Sequence, residues 1–252
     1  MPTNSTTRFS NRVEDYVKYR PHYPEAIITF LQEQYHLTTD KIIADIGAGT
    51  GISAELFLKA GYKVIAVEPN KEMREKSIAL LNKFEKFNAV DGTAENSSLQ
   101  DKSVDAIIAG QAFHWFNVTE TKIEFERILK PNGIVVLIWN ERLALSDFEK
   151  EYDNLIVKHG TDYKKIDHRN ISADKIAAFF HPQPMQLKIF ANKQVFDFEG
   201  LKGRLLSSSY MPTVADSGYA KMITDLQQLF EKYKENETIT INYETKLYVS
   251  KL

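Results

Sequence analysis

The residues best suited to bind a ligand are the glycines within Asp45-Ile-Gly-Ala-Gly-Thr-Gly51 and the carboxylate of Glu68. Glycine has no β-carbon, so the backbone N–H groups of such a turn can approach a bound molecule closely. A carboxylate that ends the neighbouring strand can accept hydrogen bonds from both hydroxyls of a ribose. These two features together predict a nucleoside site.

The elements around these residues must bring them to one place. The apolar run Ile42–Ile46 has no alternation, which is typical of a strand buried on both faces. Apolar residues recur at helical spacing over Ile52–Ala60, and a second buried strand, Val64–Val67, ends at Glu68. Because a βαβ unit is right-handed, the glycine turn and Glu68 are expected at the same edge of a parallel sheet, where ligands bind.

The spacing of the glycines bears on which nucleoside binds. Dinucleotide sites use G-x-G-x-x-G, whereas here Gly51 comes one position early and Ile52 fills the place of the third glycine. This spacing disfavours a pyrophosphate site. Three alternatives stay open: a nicotinamide-dependent oxidoreductase on the same kind of sheet, a protein that binds the nucleoside without turnover, and an enzyme acting on protein or RNA.

The composition narrows the function classes. The 252 residues are 43% hydrophobic and 26% charged, with a net charge of -2, so no general attraction to nucleic acid or an anionic membrane is expected. The absence of cysteine excludes disulfides, thiolate nucleophiles and thiolate metal ligands. No stretch has the length of a membrane span and no metal-ligand spacing is present, which predicts a cytoplasmic protein without a metal.

Further motifs give the chain a resemblance to a known family. The glycine segment and Glu68-Pro69 are followed by similar motifs at Gly92–Glu95, Ser103–Ile108 and Leu129–Gly133. In this order they resemble the successive motifs of class I S-adenosylmethionine-dependent methyltransferases. Additional segments are similar to the type 11 subgroup, which acts on small molecules: Phe9-Ser10, Arg20–Pro24, Gln111–Phe116 and Trp139-Asn140.

The resemblance implies an α/β fold, a doubly wound and mostly parallel seven-stranded Rossmann-like sheet. One methyltransferase domain over residues 1–252 is expected, since no linker or repeat divides the chain. Its expected parts are an α-helical N-terminal cap (1–40), a cofactor-binding core (41–140), a lid or acceptor region (141–212) and a final helix and antiparallel strand (213–252).

The resemblance also implies the cofactor, S-adenosyl-L-methionine, which leaves as S-adenosyl-L-homocysteine. Thr93 stands where relatives usually have an acidic residue, and Met73 is either a packing partner of the adenine or simple core. Arg20 is the candidate to meet the carboxylate of the methionine part. The expected cofactor-binding residues are Tyr16, Arg20, Asp45, Gly47, Gly49, Gly51, Glu68, Pro69, Met73, Thr93, Ala94 and Gln111.

The small-molecule acceptor is expected to receive its methyl group by in-line displacement, on a carboxylate or a hydroxyl. His114, on a loop after the fourth strand, is the candidate catalytic base, which a hydroxyl would need and a carboxylate would not. A neutral structural histidine among aromatic residues is the alternative interpretation. The expected acceptor-binding residues are Tyr19, Tyr23, His114, Trp115, Trp139 and Tyr210.

The C-terminal part carries weaker patterns. An amphipathic helix from Phe148 closes at Gly160, and partial alternation over Gln186–Phe198 predicts a hairpin that turns at Asn192-Lys193. Strict alternation from Ile239 to Val249 predicts a strand that pairs antiparallel near the sheet edge. Nucleic acid is not an expected partner, and the sequence leaves the oligomeric state open.

Overall fold

The centre of the fold is one sheet of seven strands, seen in a computed structural model that describes residues 17–160 and 173–252. The strands are β1 (Ile42–Ile46), β2 (Lys63–Val67), β3 (Phe87–Val90), β4 (Val104–Gly110), β5 (Leu129–Arg142), β6 (Gln186–Phe196) and β7 (Ile239–Lys251). Their order across the sheet is β3-β2-β1-β4-β5-β7-β6. The first five are parallel, while β7 runs antiparallel to both β5 and β6.

Helices connect the strands and cover the sheet. They are α1 (Ala26–Tyr35), α2 (Ile52–Lys59), α3 (Lys71–Leu81), α4 (Val118–Ile128), α5 (Asp147–His159), α6 (Ala173–Phe180), α7 (Phe198–Leu206) and α8 (Tyr219–Tyr233). A short 3-10 helix, Phe113–Trp115, follows β4. No helix within the described ranges is long and apolar enough to cross a membrane.

The two faces of the sheet bury separate cores, as the continuous apolar runs require. Alternate residues of β5 show the division: Ile134, Val136 and Ile138 pack into one core, while Val135 and Leu137 pack into the other. The sheet is therefore covered on both sides, and the prediction of a doubly wound, mostly parallel seven-stranded sheet is confirmed.

A third core lies beside the sheet and joins α5, α7 and α8 to β7. Glu149 fixes α5 there, since its buried carboxylate accepts from the backbone N–H of Ser146 and from the backbone and side chain of Asn242. Ser146 in turn caps the helix by accepting from the Glu149 backbone. Gly160 follows the last residue of α5, where the sequence predicts the helix end.

The predicted strands Ile42–Ile46 and Val64–Val67 and the predicted last strand agree with the structure, but the predicted hairpin at Asn192-Lys193 is wrong. Gln186–Phe196 is one continuous strand that pairs with β7 along its whole length. The side chain of Asn192 donates to His22 and Asn140 and does not support a turn. Because β7 is long, every residue of β6 has a pairing partner on it. The strand β6 falls within the segment 141–212, which the sequence predicts as a lid.

The predicted N-terminal cap is described only in part. Tyr16 and the predicted helix start at Phe9 lie outside the described residues, and residues 17–19 are helical. The chain then crosses the end of β5, where the side chain of Asn140 donates to the carbonyl oxygens of Pro21 and His22. These contacts hold residues 20–23 over the carboxyl ends of the parallel strands.

The glycine turn yields a prediction about stability. Gly51 and Gly61 both adopt a left-handed backbone, with φ of 89° and 90°, but a β-carbon on Gly51 would lie 2.5 Å from Leu81, and one on Gly61 would meet nothing closer than 4.0 Å. Gly61→Ala is expected to cost about 1 kcal/mol of unfolding free energy because of backbone strain alone. Gly51→Ala is expected to cost about 2 to 4 kcal/mol, because overpacking adds to that strain. Urea unfolding of both variants measures the difference, and equal losses would contradict the crowding at Gly51.

Candidate functional site

A cavity of about 280 Å3 opens at the carboxyl ends of the parallel strands. Small-molecule pockets range from about 300 to 1,000 Å3, so this volume suits a compact ligand. The lining comes from the segments after β1, β2, β3 and β4, the end of β5, residues 20–23, and the far side formed by α7 and β7. Those lining residues with polar or charged side chains are Arg20, Tyr23, Ser53, Glu68, Asn70, Thr93, Glu95, Gln111, His114, Trp115, Asn140, Arg142, Arg204, Ser209, Tyr210 and Tyr243.

The floor of the cavity is the glycine turn between β1 and α2. Gly47 has a left-handed φ of 68°, and a β-carbon there would lie 2.8 Å from the β-carbon of Ala112 on the next loop. Gly49, with φ of 57°, would meet only the Met73 sulfur at 3.7 Å. The backbone of the turn therefore forms part of the cavity wall directly. A side chain at Gly47 would push the turn away from the loop that carries Ala112.

Glu68 holds the turn in place from the end of β2. One carboxylate oxygen accepts from the backbone N–H of Gly49 and the other from that of Asn70, each at 2.8 Å. Burial raises the pKa of the Glu68 carboxyl, and the two backbone hydrogen bonds partly offset that effect. Since an ionised carboxylate has about four lone-pair sites, each oxygen of Glu68 can accept one further hydrogen bond from a ligand.

Three buried polar atoms of the cavity lining have no hydrogen-bond partner among the described residues. They are Asn70 Nδ2, Gln111 Oε1 and His114 Nδ1. Buried polar atoms in folded proteins are almost always paired, and each unpaired one costs about 1 to 3 kcal/mol. Their presence in one cavity indicates a polar ligand that supplies the missing partners.

Gln111 also has a strained backbone. Its φ of 55° is unusual for a residue with a side chain, and the backbone N–H is held by the carbonyl of Ile138 at 2.8 Å. Strain of this kind costs of order 1 kcal/mol and is found at ligand sites. The turn at Gln111 directs the chain from β4 into the 3-10 helix that carries His114.

His114 lies on that 3-10 helix beside Trp115, with ring centroids 4.7 Å apart. Burial lowers the pKa of His114 to about 4, so the imidazole is neutral at physiological pH. A neutral imidazole can donate or accept a hydrogen bond in the cavity. Its low pKa makes it a weak base for deprotonating a hydroxyl.

Residues 20–23 close one side of the cavity. Arg20 lines it and donates from Nη2 to the carbonyl oxygen of Ser207 at 3.0 Å, which ties this segment to the end of α7. Tyr23 packs so closely on Gly110 that a β-carbon there would lie 2.7 Å from its hydroxyl oxygen. Both residues therefore sit where the sequence predicts contact with a ligand.

Most of the predicted site residues line this one cavity. Of the predicted cofactor-binding set these are Arg20, Gly47, Gly49, Glu68, Pro69, Met73, Thr93, Ala94 and Gln111, and of the acceptor-binding set Tyr23, His114, Trp115 and Tyr210. Met73 is 6% exposed and belongs to the lining, so its side chain is both buried and accessible to a ligand.

Four predicted site residues do not line this cavity: Tyr19, Asp45, Gly51 and Trp139. Trp139 faces the core on the side of Phe113 and Tyr248, because alternation along β5 turns it away from the cavity. Tyr19 packs on Gly203, where a β-carbon would lie 2.0 Å from its ring.

Asp45 and Gly51 support the turn from below and do not line the cavity. Asp45 is 1% exposed and accepts from the Ser53 hydroxyl at 2.6 Å, and burial raises the pKa of its carboxyl to about 7. Gly51 is the residue before the first turn of α2.

Four polar residues on the far wall of the cavity are not among the predicted site residues: Asn140, Arg142, Arg204 and Tyr243. Asn140 and Arg142 extend β5 beyond Trp139 on the opposite face, so alternation along the strand could have found them. Arg204 and Tyr243 come from α7 and β7, and nothing local in the sequence marks them as neighbours of β5.

Known proteins are similar to this chain in sequence and in fold. Residues 44–137 match the model of the type 11 methyltransferase domain. An uncharacterized methyltransferase from Schizosaccharomyces pombe is 36% identical over 135 residues, which cover 53% of this chain and 53% of that relative. The alignment thus spans about half the length of this curated relative.

Solved structures share the fold at lower identity. A structure from Anaeromyxobacter dehalogenans, named as a type II methyltransferase, has a TM-score of 0.64 at 18% identity and covers 92% of this chain and 97% of its own. Phosphoethanolamine N-methyltransferase 2 from Haemonchus contortus has a TM-score of 0.58 at 14% identity, covering 96% of this chain and 56% of its own. Residues 44–137 are therefore similar to the type 11 methyltransferase domain, and the chain shares the fold of these solved methyltransferase structures.

Proposed function

We propose that this protein transfers a methyl group from S-adenosyl-L-methionine to a small-molecule acceptor. The observation that carries the proposal is Glu68, whose two carboxylate oxygens each keep a lone pair for the hydroxyls of a ribose beside bare glycine backbone. The Haemonchus contortus enzyme was solved in complex with S-adenosyl-L-methionine, which supports the same ligand here. A cytoplasmic location and the absence of a nucleic-acid partner stay predictions.

Different lining residues are assigned to different parts of the donor. Glu68 takes the ribose, and Met73 with Ala94 offers an apolar surface to the adenine. Arg20, at the other end of the donor, is the candidate partner for its carboxylate. Bound in this way, the donor supplies a methyl group already activated by a positively charged sulfur.

The chain's own contribution to the reaction is alignment in a dry pocket. Holding two reactants in line can lower the barrier by about 7 to 11 kcal/mol. The aromatic residues Trp115, Tyr23 and Tyr210 form a wall that suits a dispersed positive charge. His114, neutral and with an unpaired Nδ1, is better suited to a hydrogen bond with a ligand than to proton removal.

The oxidoreductase alternative has less support. Ile52 stands where a dinucleotide site has its third glycine, and its side chain lines the cavity at the first turn of α2. The place that a pyrophosphate needs is thereby occupied by an apolar side chain.

Removing the ribose partner is the direct test of the donor site. Glu68→Ala is expected to weaken binding of S-adenosyl-L-homocysteine at least about 10-fold, since each of the two charge-assisted hydrogen bonds to the ribose contributes about 1.5 to 3 kcal/mol. Isothermal titration calorimetry measures the change, with Glu72→Ala, an exposed carboxylate on α3, as the matched control. Equal affinity of both variants, or tighter binding of NAD than of S-adenosyl-L-homocysteine, would contradict the assignment.

Turnover separates an enzyme from a binding protein. The protein, given donor labelled in its methyl group and a metabolite extract, is expected to release S-adenosyl-L-homocysteine and a labelled small molecule in equal amounts. Liquid chromatography with mass detection identifies that product. If the donor binds but no label leaves it, the protein binds the nucleoside without turnover.

The low pKa of His114 predicts how stability depends on pH. Between about pH 6.5 and pH 4 the unfolded chain binds a proton at this residue and the folded chain does not, so the free energy of unfolding falls as the pH falls. The difference between the wild type and His114→Gln is expected to change by about 3 kcal/mol over this range. Urea unfolding at several pH values measures it, with the exposed His181→Gln as control. A flat difference would mean that His114 takes up its proton as easily in the folded state.

A further inference from the structure

Two arginines with little exposure line the wall of the cavity that β5 and α7 form. Arg142 is the last residue of β5, and Arg204 lies on α7; both line the cavity. The Arg204 residue is 7% exposed and the Arg142 side chain 12%. The two guanidinium groups are close enough for each charge to act on the other.

The described residues supply one carboxylate for these two cations. Arg142 pairs with Asp153 and lies over the ring of Tyr152, at 5.2 Å from its centroid. Burial raises the pKa of Tyr152 to about 12, so this tyrosine is uncharged at neutral pH. Among the described residues, one of the two positive charges therefore has no carboxylate partner.

Arg204 has only neutral hydrogen-bond partners. Its Nε donates to the Tyr243 hydroxyl at 3.2 Å, and Nη1 donates to the hydroxyls of Ser207 and Ser208 at 3.3 and 3.4 Å. The Nη2 group has no partner among the described residues. Arginine does not lose its proton in proteins, so the charge persists and its burial without a counter-ion is costly.

The arginine pair lies far from the residue assigned to the ribose. Glu68 follows β2 and Arg142 ends β5, three strands away, which is about 14 Å across the sheet edge at the usual strand spacing. Arg20, the candidate partner for the donor's carboxylate, donates to the carbonyl oxygen of Ser207, whose hydroxyl accepts from Arg204. The pair thus lies next to the end of the site assigned to the donor's carboxylate, and its test must separate that carboxylate from one on the acceptor.

We propose that Arg142 and Arg204 form a subsite for a carboxylate group of the methyl acceptor, which makes the acceptor a small organic acid. The single unbalanced positive charge matches a carboxylate better than a phosphate dianion, and the free Nη2 of Arg204 offers the planar donor geometry that carboxylates accept. The serine and tyrosine hydroxyls hold the Arg204 guanidinium in position before the acid enters. That the bound acid is the methyl acceptor rests on the proposed methyl transfer. The anion subsite itself does not depend on that proposal.

The test uses Arg204→Met, which removes the charge and keeps most of the side-chain volume. Binding of benzoate and succinate to the wild type loaded with S-adenosyl-L-homocysteine is measured by calorimetry, with benzamide and inorganic phosphate as further probes. Wild type is expected to bind at least one of the two acids, and Arg204→Met to bind it at least tenfold more weakly. Lys150→Gln, which removes an exposed positive charge from α5, is the matched control and is expected to bind like the wild type.

Stability gives a second readout. A buried charge without a counter-ion can be replaced by an apolar side chain at no cost or with a gain, so the thermal midpoint of ligand-free Arg204→Met is expected to equal or exceed that of the wild type. A purely structural arginine would give a lower midpoint. That result, together with unchanged acid binding, would overturn the proposal.

The remaining outcomes are also decisive. The proposal is wrong if benzamide binds as well as benzoate, if phosphate binds in place of the acids, or if neither acid binds the wild type more tightly than Arg204→Met. If Arg204→Met weakens S-adenosyl-L-homocysteine by the same factor as the acid, the arginines serve the donor and not the acceptor. Failure of S-adenosyl-L-homocysteine to bind the wild type would instead contradict the proposed function, and acid binding to the ligand-free protein would then still test the subsite.

Discussion

The site depends on a buried carboxylate held between two backbone N–H groups. Glu68 joins the glycine turn, through Gly49, to the start of α3, through Asn70. Removing this carboxylate from water is unfavourable, and the two backbone donors offset part of the cost because they are fixed by the ends of two elements of the fold. The sheet thus places a charged acceptor where a ligand can reach it, without any mobile side chain holding it.

The cavity separates its charges along the edge of the sheet. The negative charge of Glu68 stands at the end of β2, and the arginines stand at the end of β5 and on α7. His114, between them, stays neutral because burial lowers its pKa. In a cavity of low dielectric constant this separation orients a ligand that carries charges of its own, since reversing the ligand would bring like charges together.

Local patterns in the sequence predict the part of the site that local geometry fixes. The glycine turn and Glu68 follow from two buried strands and a right-handed crossover, and the structure brings them together at the cavity. Trp139 shows where such reasoning fails. It lies among the motif residues and is aromatic, yet alternation along β5 turns it toward the core while Asn140 and Arg142 face the cavity.

The positions that local sequence patterns do not predict are determined by long-range packing. Arg204 reaches the cavity because α7 packs on the third core, beside Tyr243 of β7. Asn192 is a residue type that is typical of turns. In the structure, however, β6 pairs with β7 on both sides of Asn192, and the Asn192 side chain donates to Asn140. In both cases the contacts join segments that are far apart in the sequence, so no local pattern contains them.

The unpaired polar groups of the cavity connect the stability of the fold to its occupancy. Asn70 Nδ2, Gln111 Oε1 and His114 Nδ1 each lower the stability of the ligand-free protein, by about 1 to 3 kcal/mol for each atom. A ligand that pairs with them recovers this energy, so the same groups that weaken the empty fold strengthen binding. Selection for stability of the ligand-free chain alone would therefore replace these residues. Their presence together in one cavity indicates selection for binding a ligand.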